Sequence, residues 1–360
     1  MSDCYVLTDA RLAPLHGSTG YSSEGVIAVD GSTIGYVGSA ENLPKTYASV
    51  PSRSLDGCLV TPGLIDCHSH LIYAGSRAHE FEMRQTGASY EEIMTAGGGI
   101  FSTVEATRAA SDNELLSGAL ARIDRMIAEG VTTVEVKSGY GLDRDTELRM
   151  LRTARRLEQE RPVRIKSTFL GAHAYPKDMK ADDYLTNICL PALADAAAEG
   201  LVDAVDGFCE TVGFTPLQIA RVFEAAQKLD LPVKLHAEQL SDQKGVIVAS
   251  QFGALSADHL EYLNDDGVAA MAKTGMVAVL LPGAFYALKE TQKPPIQKLR
   301  DAGVPMALAT DSNPGSSPMT SLLLNMNMGA TLFGLTPQEC LEAVTVNAAR
   351  ALGLTDCGKL

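Results

Sequence analysis

The sequence predicts an α/β protein: a (β/α)8, TIM-like barrel carrying a small β-sandwich-like appendage formed largely by the N-terminal segment. Three observations lead there. From Leu59 to Asp311, eight strand-type runs are parted from one another by helical sequence. His68, His70, His173, His236, His259 and Asp311 all fall where a strand run stops, and a barrel gathers its strands' carboxyl ends, where active sites lie, on one face. Ahead of this, Tyr5 to Leu55 holds short β-type runs separated by Gly, Ser and Asp. An open doubly wound sheet is the alternative; six chemical groups sharing one rim favour the barrel. The boundaries read as 1–58 for the β appendage, 59–345 for the barrel and 346–360 for an incomplete return toward the appendage.

Length and composition suit this reading. A chain of 360 residues accommodates a barrel of roughly 250 residues plus an appendage. The formal net charge of −14 leaves no basic surplus for phosphates, which argues against nucleic acid or an anionic membrane as main partner. Seven cysteines without a Cys-x-x-Cys pair read as reduced thiols of a cytoplasmic protein. The opening Met1-Ser2-Asp3-Cys4 has no basic start or long apolar stretch, so no secretory signal is expected. No apolar run is long enough to span a bilayer.

Taken in order, the appendage contains Tyr5-Val6-Leu7 and Gly25-Val26-Ile27-Ala28-Val29, and Asp30-Gly31 is a hairpin signal. His16 lies in its turn-rich part and is a bystander. The first barrel strand is read in Leu59 to His70, an apolar run broken by Pro62-Gly63 and ending in His-x-His. Residues i and i+2 of a strand point the same way, so His68 and His70 can converge. The long glycine-containing connection that follows, through Gly97-Gly98-Gly99, suits an active-site cover; it is not a phosphate loop. An amphipathic helix is expected from about Asp112 to Glu129. The remaining strand runs are Val131–Val136, Arg164–Leu170, Val202–Val205, Pro232–Leu235, Ala254–Ala257, Met276–Leu281 and Pro305–Ala309.

In that frame His68, His70, His236 and Asp311 supply three imidazoles and a carboxylate to one divalent ion, with room left for water. Such a site lowers the pKa of bound water toward neutrality and provides a nucleophile for a carbonyl or amidine carbon. Singly, each of these residues is compatible with an ordinary structural role. Together at strand ends they point to a metal.

The run from Val60 to His70, the strand-end His236 and Ala309-Thr310-Asp311 resemble the amidohydrolase superfamily. Within it, Gly97 to Ile100, Glu135 to Gly141, Gly171 to His173, Ser256 to His259 and Asp311 to Ser316 resemble the imidazolonepropionase family. The resemblance runs nearly the whole chain. It implies a hydrolase with one metal ion, zinc or iron, that converts 4-imidazolone-5-propanoate to N-formimidoyl-L-glutamate in histidine degradation. It also implies substrate contacts from Arg77, Tyr90, Tyr140, His173, Gln239, Asn313, Gly315 and Ser316. Arg77 is a residue type able to hold the propionate with two parallel hydrogen bonds. A homodimer is the family expectation. Dinuclear relatives often carry a lysine at the fourth strand; here that strand runs toward Phe208-Cys209-Glu210, which supports a mononuclear site.

Proton transfer is assigned to His259, Asp311 and Glu238. Related deaminases tend to place a glutamate three residues after the fifth-strand histidine, where this chain has Gln239, preceded by Glu238. The sequence leaves open which of the two enters the pocket. Family members continue beyond Gly353 into strands that complete the appendage, so an incompletely closed β unit is expected. Two alternatives remain: another mononuclear enzyme of the superfamily, such as an aromatic-base deaminase, or a catalytically silent barrel.

Overall fold

The structure, a computed structural model, describes residues 4–13, 15, 22–87 and 98–360. The chain divides into two compact units, Met1–Gly63 with Thr355–Leu360, and Leu64–Leu354.

The first unit is a five-stranded sheet built on β1 (Cys4–Leu12). β1 pairs antiparallel with β2 (Ser22–Asp30) and parallel with β4 (Ser52–Ser54) and β5 (Leu59–Val60). β2 continues into β3 (Thr33–Gly38) through the hairpin read at Asp30-Gly31, with Asp30 opposite Thr33. Period-two alternation on β2 parts Val26 and Ala28 from Ile27, and a register shift in β1 between Leu7 and Ala10 parts Val6 from Ala10 and Leu12; Val6, Val26 and Ala28 form one cluster and Ala10, Leu12 and Ile27 another, which Leu360 joins.

The second unit is a parallel eight-stranded sheet in sequential order. Its strands are β6 (Leu64–Asp66), β7 (Val131–Lys137), β8 (Arg164–Ala172), β9 (Ala204–Cys209), β10 (Lys234–Ala237), β11 (Ser256–His259), β12 (Val277–Leu280) and β13 (Met306–Leu308). Beyond the strand ends, β13 and β6 are drawn together by backbone hydrogen bonds from Asp311 to His68 and from His70 to Ser312, each 2.9 Å. The closure that completes the barrel therefore sets two histidines beside an aspartate.

One expectation is corrected. The apolar run from Leu59 does not make a single barrel strand. Leu59–Val60 belongs to the first sheet and only Leu64–Asp66 to the barrel, because Pro62 provides no N–H for a ladder and its fixed φ interrupts the run.

The helices follow local rules. Helix Asp112–Ala128 starts at Ser111, whose hydroxyl accepts from the Glu114 N–H while the Glu114 carboxylate accepts from the Ser111 N–H. Thr215 and Gln218, and Thr336 and Glu339, form the same reciprocal pair ahead of helices Pro216–Lys228 and Pro337–Ala343. The apolar faces of these helices, with residues such as Leu115, Ile123 and Phe223, pack on strand residues such as Val134, Phe169 and Leu235 in one continuous core.

Candidate metal centre and active site

His68 and His70 follow β6, His236 lies in β10, and Asp311 follows β13; all four are buried. His236 Nε2 lies 3.5 Å from His70 Nε2, and Asp311 Oδ1 lies 3.5 Å from His68 Nε2 and 3.4 Å from His70 Nε2. Donor atoms bound to one tetrahedral ion at about 2.0–2.2 Å stand roughly 3.3–3.5 Å from one another. These three separations match it, and the ligand atoms of His68, His70 and His236 all lie within 4.8 Å of one another. His68 Nε2 is moreover buried without a hydrogen-bond partner, a costly condition that a cation relieves. The residues present fit a metal ion.

Carboxylates behind the rings orient them. His68 Nδ1 meets Asp258 Oδ2 at 2.6 Å in a hydrogen bond, and His236 Nδ1 has Asp206 Oδ2 at 3.0 Å, close but off the hydrogen-bond direction; both contacts lie on the Nδ1 side, which leaves each Nε2 facing the cluster. Burial and Lys137 oppose charging of His68, but Asp258 and Asp311 outweigh them and raise its pKa. Burial pushes His70 down to about 4 and lowers His236. Asp311 is buried too, yet His68 and His70 hold it well below the usual carboxylate range. The state favoured is ionised aspartate with mostly neutral imidazoles, which is a ligating state.

A pocket opens on this cluster. His70, His236, His259 and Asp311 line it together with Tyr140 and His173, with Arg77, Gln239, Asn313 and Ser316 as further polar parts of the lining and Ile100 and Phe208 as apolar ones. His259 closes β11 with φ 83°, a left-handed conformation that costs energy in a non-glycine residue. Burial pushes its imidazole down to about 3, and its Nδ1 is buried without a partner. His173 is placed by Gly139, whose carbonyl lies 3.0 Å from His173 Nδ1. Gly139 has φ 108°, and a Cβ there would meet the Leu170 carbonyl at 2.8 Å and the imidazole at 3.0 Å. Burial raises the pKa of Tyr140, keeping it a neutral donor.

Arg77 reaches the pocket in a fixed orientation. Its Nε lies 3.0 and 2.9 Å from the two Glu80 carboxylate oxygens, and its Nη2 2.9 Å from Oε2. Glu80 is itself held by the Gly99 N–H at 2.9 Å and the Ser102 hydroxyl at 3.3 Å. The Glu80 contacts engage Nε and Nη2, and among the described residues Nη1 has no hydrogen-bond acceptor. Gly315 packs directly on this guanidinium.

Asn313 spends its polar atoms locally. Its Oδ1 accepts from the Gly315 and Ser316 N–H groups, each at 2.8 Å, and its Nδ2 donates to the Asp311 carbonyl at 2.7 Å and to Ser316 Oγ at 2.9 Å. It shapes the turn that presents Gly315 and Ser316.

Gln239 lines the pocket and Glu238 does not. The Glu238 carboxylate accepts from the N–H groups of Gly245 at 2.6 Å and Val246 at 3.3 Å, at the start of helix Gly245–Gln251. The expectation of Glu238 as a proton carrier is therefore corrected: a helix N-terminus, rich in unpaired N–H groups, captures its carboxylate. Tyr90 lies outside the described residues, as do His16 and Gly97.

Sequence reasoning missed Glu80, Phe208 and the interior charges Glu135, Lys137, Asp206, Lys234 and Asp258. Their available signal is a charged residue inside an otherwise apolar strand, as in Val131–Lys137 and Val233-Lys234-Leu235. Two further carboxylates and His68, namely Glu135 and Asp258 with the ring, form a second close group, but the ammonium groups of Lys137 and Lys234 already lie 2.9 and 2.8 Å from Glu135 Oε2.

The profile of the Amidohydrolase family matches residues 59–360. The chain is 61% identical over 364 residues to the imidazolonepropionase of Ruegeria sp. (strain TM1040), covering 100% of this chain and 90% of that protein. It is 59% identical over 346 residues to the imidazolonepropionase of Paracoccus denitrificans (strain Pd 1222), covering 96% and 86%. Among solved structures, 5-methylcytosine deaminase from Klebsiella pneumoniae superposes with TM-score 0.74 at 16% identity, over 98% of this chain and 87% of that one. Ochratoxinase of A. niger superposes with TM-score 0.71 at 18% identity, over 99% and 87%. These last two share the fold. With a matching profile over most of its length and relatives at such identity, the chain belongs to the amidohydrolase family and, within it, to the imidazolonepropionases.

Proposed function

We propose that this protein hydrolyses the cyclic amide of 4-imidazolone-5-propanoate to N-formimidoyl-L-glutamate, in histidine degradation, with one divalent metal ion, zinc or iron, held by His68, His70, His236 and Asp311. The observation that carries the reading is that Asp311 Oδ1 lies 3.5 and 3.4 Å from His68 and His70 Nε2, and His236 Nε2 3.5 Å from His70 Nε2, with His70, His236 and Asp311 lining a pocket that Arg77 also lines. A cation bound there supplies a water activated near neutral pH and polarises the ring carbonyl.

The chain's own groups do the rest. The Arg77 guanidinium takes the propionate, with Gly315 and Ser316 beside it. Tyr140, His173 and Gln239 orient the ring by hydrogen bonds, and Phe208 and Ile100 exclude water. The carbonyl carbon gains the oxygen of water, and the proton released passes to Asp311 or to the neutral imidazole of His259. The ring C–N bond then breaks and that proton goes to the departing nitrogen, which remains in the formimidoyl group. The placement of Gln239 in the pocket, with Glu238 turned to a helix start, supports ring hydrolysis over deamination: a glutamine amide cannot shuttle protons.

Cys58, Cys67, Cys189, Cys209 and Cys340 carry free thiols, which suits a reducing compartment, and we place the enzyme in the cytoplasm; a homodimer is our expectation for its assembly. The test is turnover of freshly generated substrate, followed by loss of its absorbance, with metal content measured on the same sample. Metal-dependent turnover, abolished in His236→Ala and sharply weakened in Arg77→Ala, is the expected result. A folded, metal-loaded protein without turnover overturns the substrate assignment.

A further inference from the structure

Beneath the imidazoles, four barrel strands turn charged side chains inward: Glu135 and Lys137 from β7, Asp206 from β9, Lys234 from β10 and Asp258 from β11. All five are fully buried. Buried charges persist only when paired and hydrogen-bonded, and these are. Lys137 Nζ lies 2.6 Å from Asp206 Oδ2, 2.9 Å from Glu135 Oε2 and 3.8 Å from Asp258 Oδ2. Lys234 Nζ lies 2.8 Å from Glu135 Oε2 and donates to the Cys67 carbonyl at 2.8 Å, and is 4.0 Å from Asp258 Oδ2.

The oxygens matter more than the count. Asp206 Oδ2, which takes the Lys137 ammonium, is the atom that faces His236 Nδ1 at 3.0 Å. Asp258 Oδ2, near both ammonium groups, is the atom that faces His68 Nδ1 at 2.6 Å. The other oxygens are anchored separately: Asp206 Oδ1 accepts from the Gly207 N–H at 2.7 Å and Asp258 Oδ1 from the Ser256 hydroxyl at 2.6 Å. Lys137 thus binds the carboxylate behind His236 directly and lies 3.8 Å from the one behind His68, while Lys234 is near only the latter, at 4.0 Å.

We propose that Lys137 is a positioning residue: through Asp206 and Asp258 it fixes His236 and His68 as Nδ1–H tautomers, with both Nε2 lone pairs turned to the metal. Lys137 holds Asp206 Oδ2 at 2.6 Å while the Gly207 N–H holds its Oδ1, so the carboxylate is pinned from both sides in the place where it faces His236 Nδ1. This rests on the metal reading above, and the test separates the two.

Three measurements are made on the full chain: zinc affinity by chelator competition, the visible spectrum of the cobalt(II) form, and the ring tautomers by NMR of 15N-histidine-labelled protein. Wild type is expected to show Nδ1–H at His68 and His236. In Lys137→Met zinc affinity falls about 10- to 100-fold, the usual range for losing an outer partner of a metal ligand, and the cobalt bands shift. Lys234→Met, which removes an equally buried ammonium near Asp258 but none beside Asp206, loses several-fold less than Lys137→Met and leaves the His236 ring unchanged. Equal losses in both variants, unchanged affinity in Lys137→Met, or Nε2–H at either ring overturns the proposal. If Lys137→Met does not fold, Asp206→Asn severs the same link: His236 alone should lose its Nδ1–H signature, and an unchanged ring overturns it. Wild type that binds no zinc overturns the metal reading together with the proposal, whereas zinc-binding wild type matched by Lys137→Met overturns only the proposal.

Discussion

Gly315→Ala is a change of one methyl group whose effect can be worked from the structure. A Cβ at this position would overlap Nη1 and Cζ of Arg77. The Gly315 backbone is not in the left-handed region, so the added methyl brings no conformational strain of its own. An arginine tip usually swings aside at little cost. Here it is held by both Glu80 oxygens at 2.9–3.0 Å, and Glu80 is fixed in turn by Gly99 and Ser102. The guanidinium must leave either Glu80 or the place where it meets the propionate. Losing one charge-assisted hydrogen bond costs about 1.5–3 kcal/mol, and 1.4 kcal/mol is a factor of about ten. The expected loss in kcat/KM is therefore about 10- to 100-fold, carried mainly by KM because the propionate is remote from the reacting carbonyl. Steady-state hydrolysis followed by substrate absorbance measures it, with circular dichroism and metal content as controls. A methyl-esterified substrate, which has no carboxylate to lose, should be nearly insensitive to the change. A folded, metal-loaded variant with KM within twofold of wild type refutes the reasoning about Arg77.

Further outcomes follow from other parts of the molecule. Burial pushes the Glu261 carboxyl up to about 8 from 4.5, with Glu290, Asp311 and Glu210 adding repulsion. Between those values the folded state binds more protons than the unfolded one, so Glu261 subtracts stability as pH rises, at most about 1.4 kcal/mol per unit. Glu261→Gln should therefore gain on wild type from pH 5 to pH 8 in urea unfolding, and parallel pH profiles would sink the idea. Excess zinc should raise the thermal midpoint of wild type, by an amount equivalent to about 2.7 kcal/mol at a hundred times the dissociation constant; chelation should reverse it, and His236→Ala should show no such rise. Ser111→Ala removes the acceptor at the start of helix Asp112–Ala128 and should cost about 1 kcal/mol of stability with kcat and KM unchanged, read by denaturant unfolding beside a rate assay.

Much of this protein could be read along the chain because its signals are periodic and local. The alternation of β-branched runs with helical sequence announced the barrel, and the placing of His68, His70, His236 and Asp311 where strand runs stop announced the cluster, since a parallel barrel leaves its strand ends on one face. The Asp30-Gly31 hairpin needed only the positive φ that Gly31 adopts.

What the sequence by itself determined was the set of strands, their order and the residue types delivered to one rim. Tertiary structure decided the rest. Whether Glu238 or Gln239 enters the pocket depended on the helix start at Gly245 and Val246, whose N–H groups capture the Glu238 carboxylate. Pro62 marks a break after Leu59–Val60, but that this piece pairs with β1 while Leu64–Asp66 pairs with β7 is a tertiary outcome. Arg77 and Glu80 are visibly neighbours in sequence, but the approach of Gly315 to that guanidinium is not. Likewise Lys137, Asp206 and Asp258 lie on three strands, and no local pattern announces that their charges meet. Local propensity acts over a few residues, whereas the pairing of buried charges is settled only when the barrel closes and excludes the water that would otherwise solvate them.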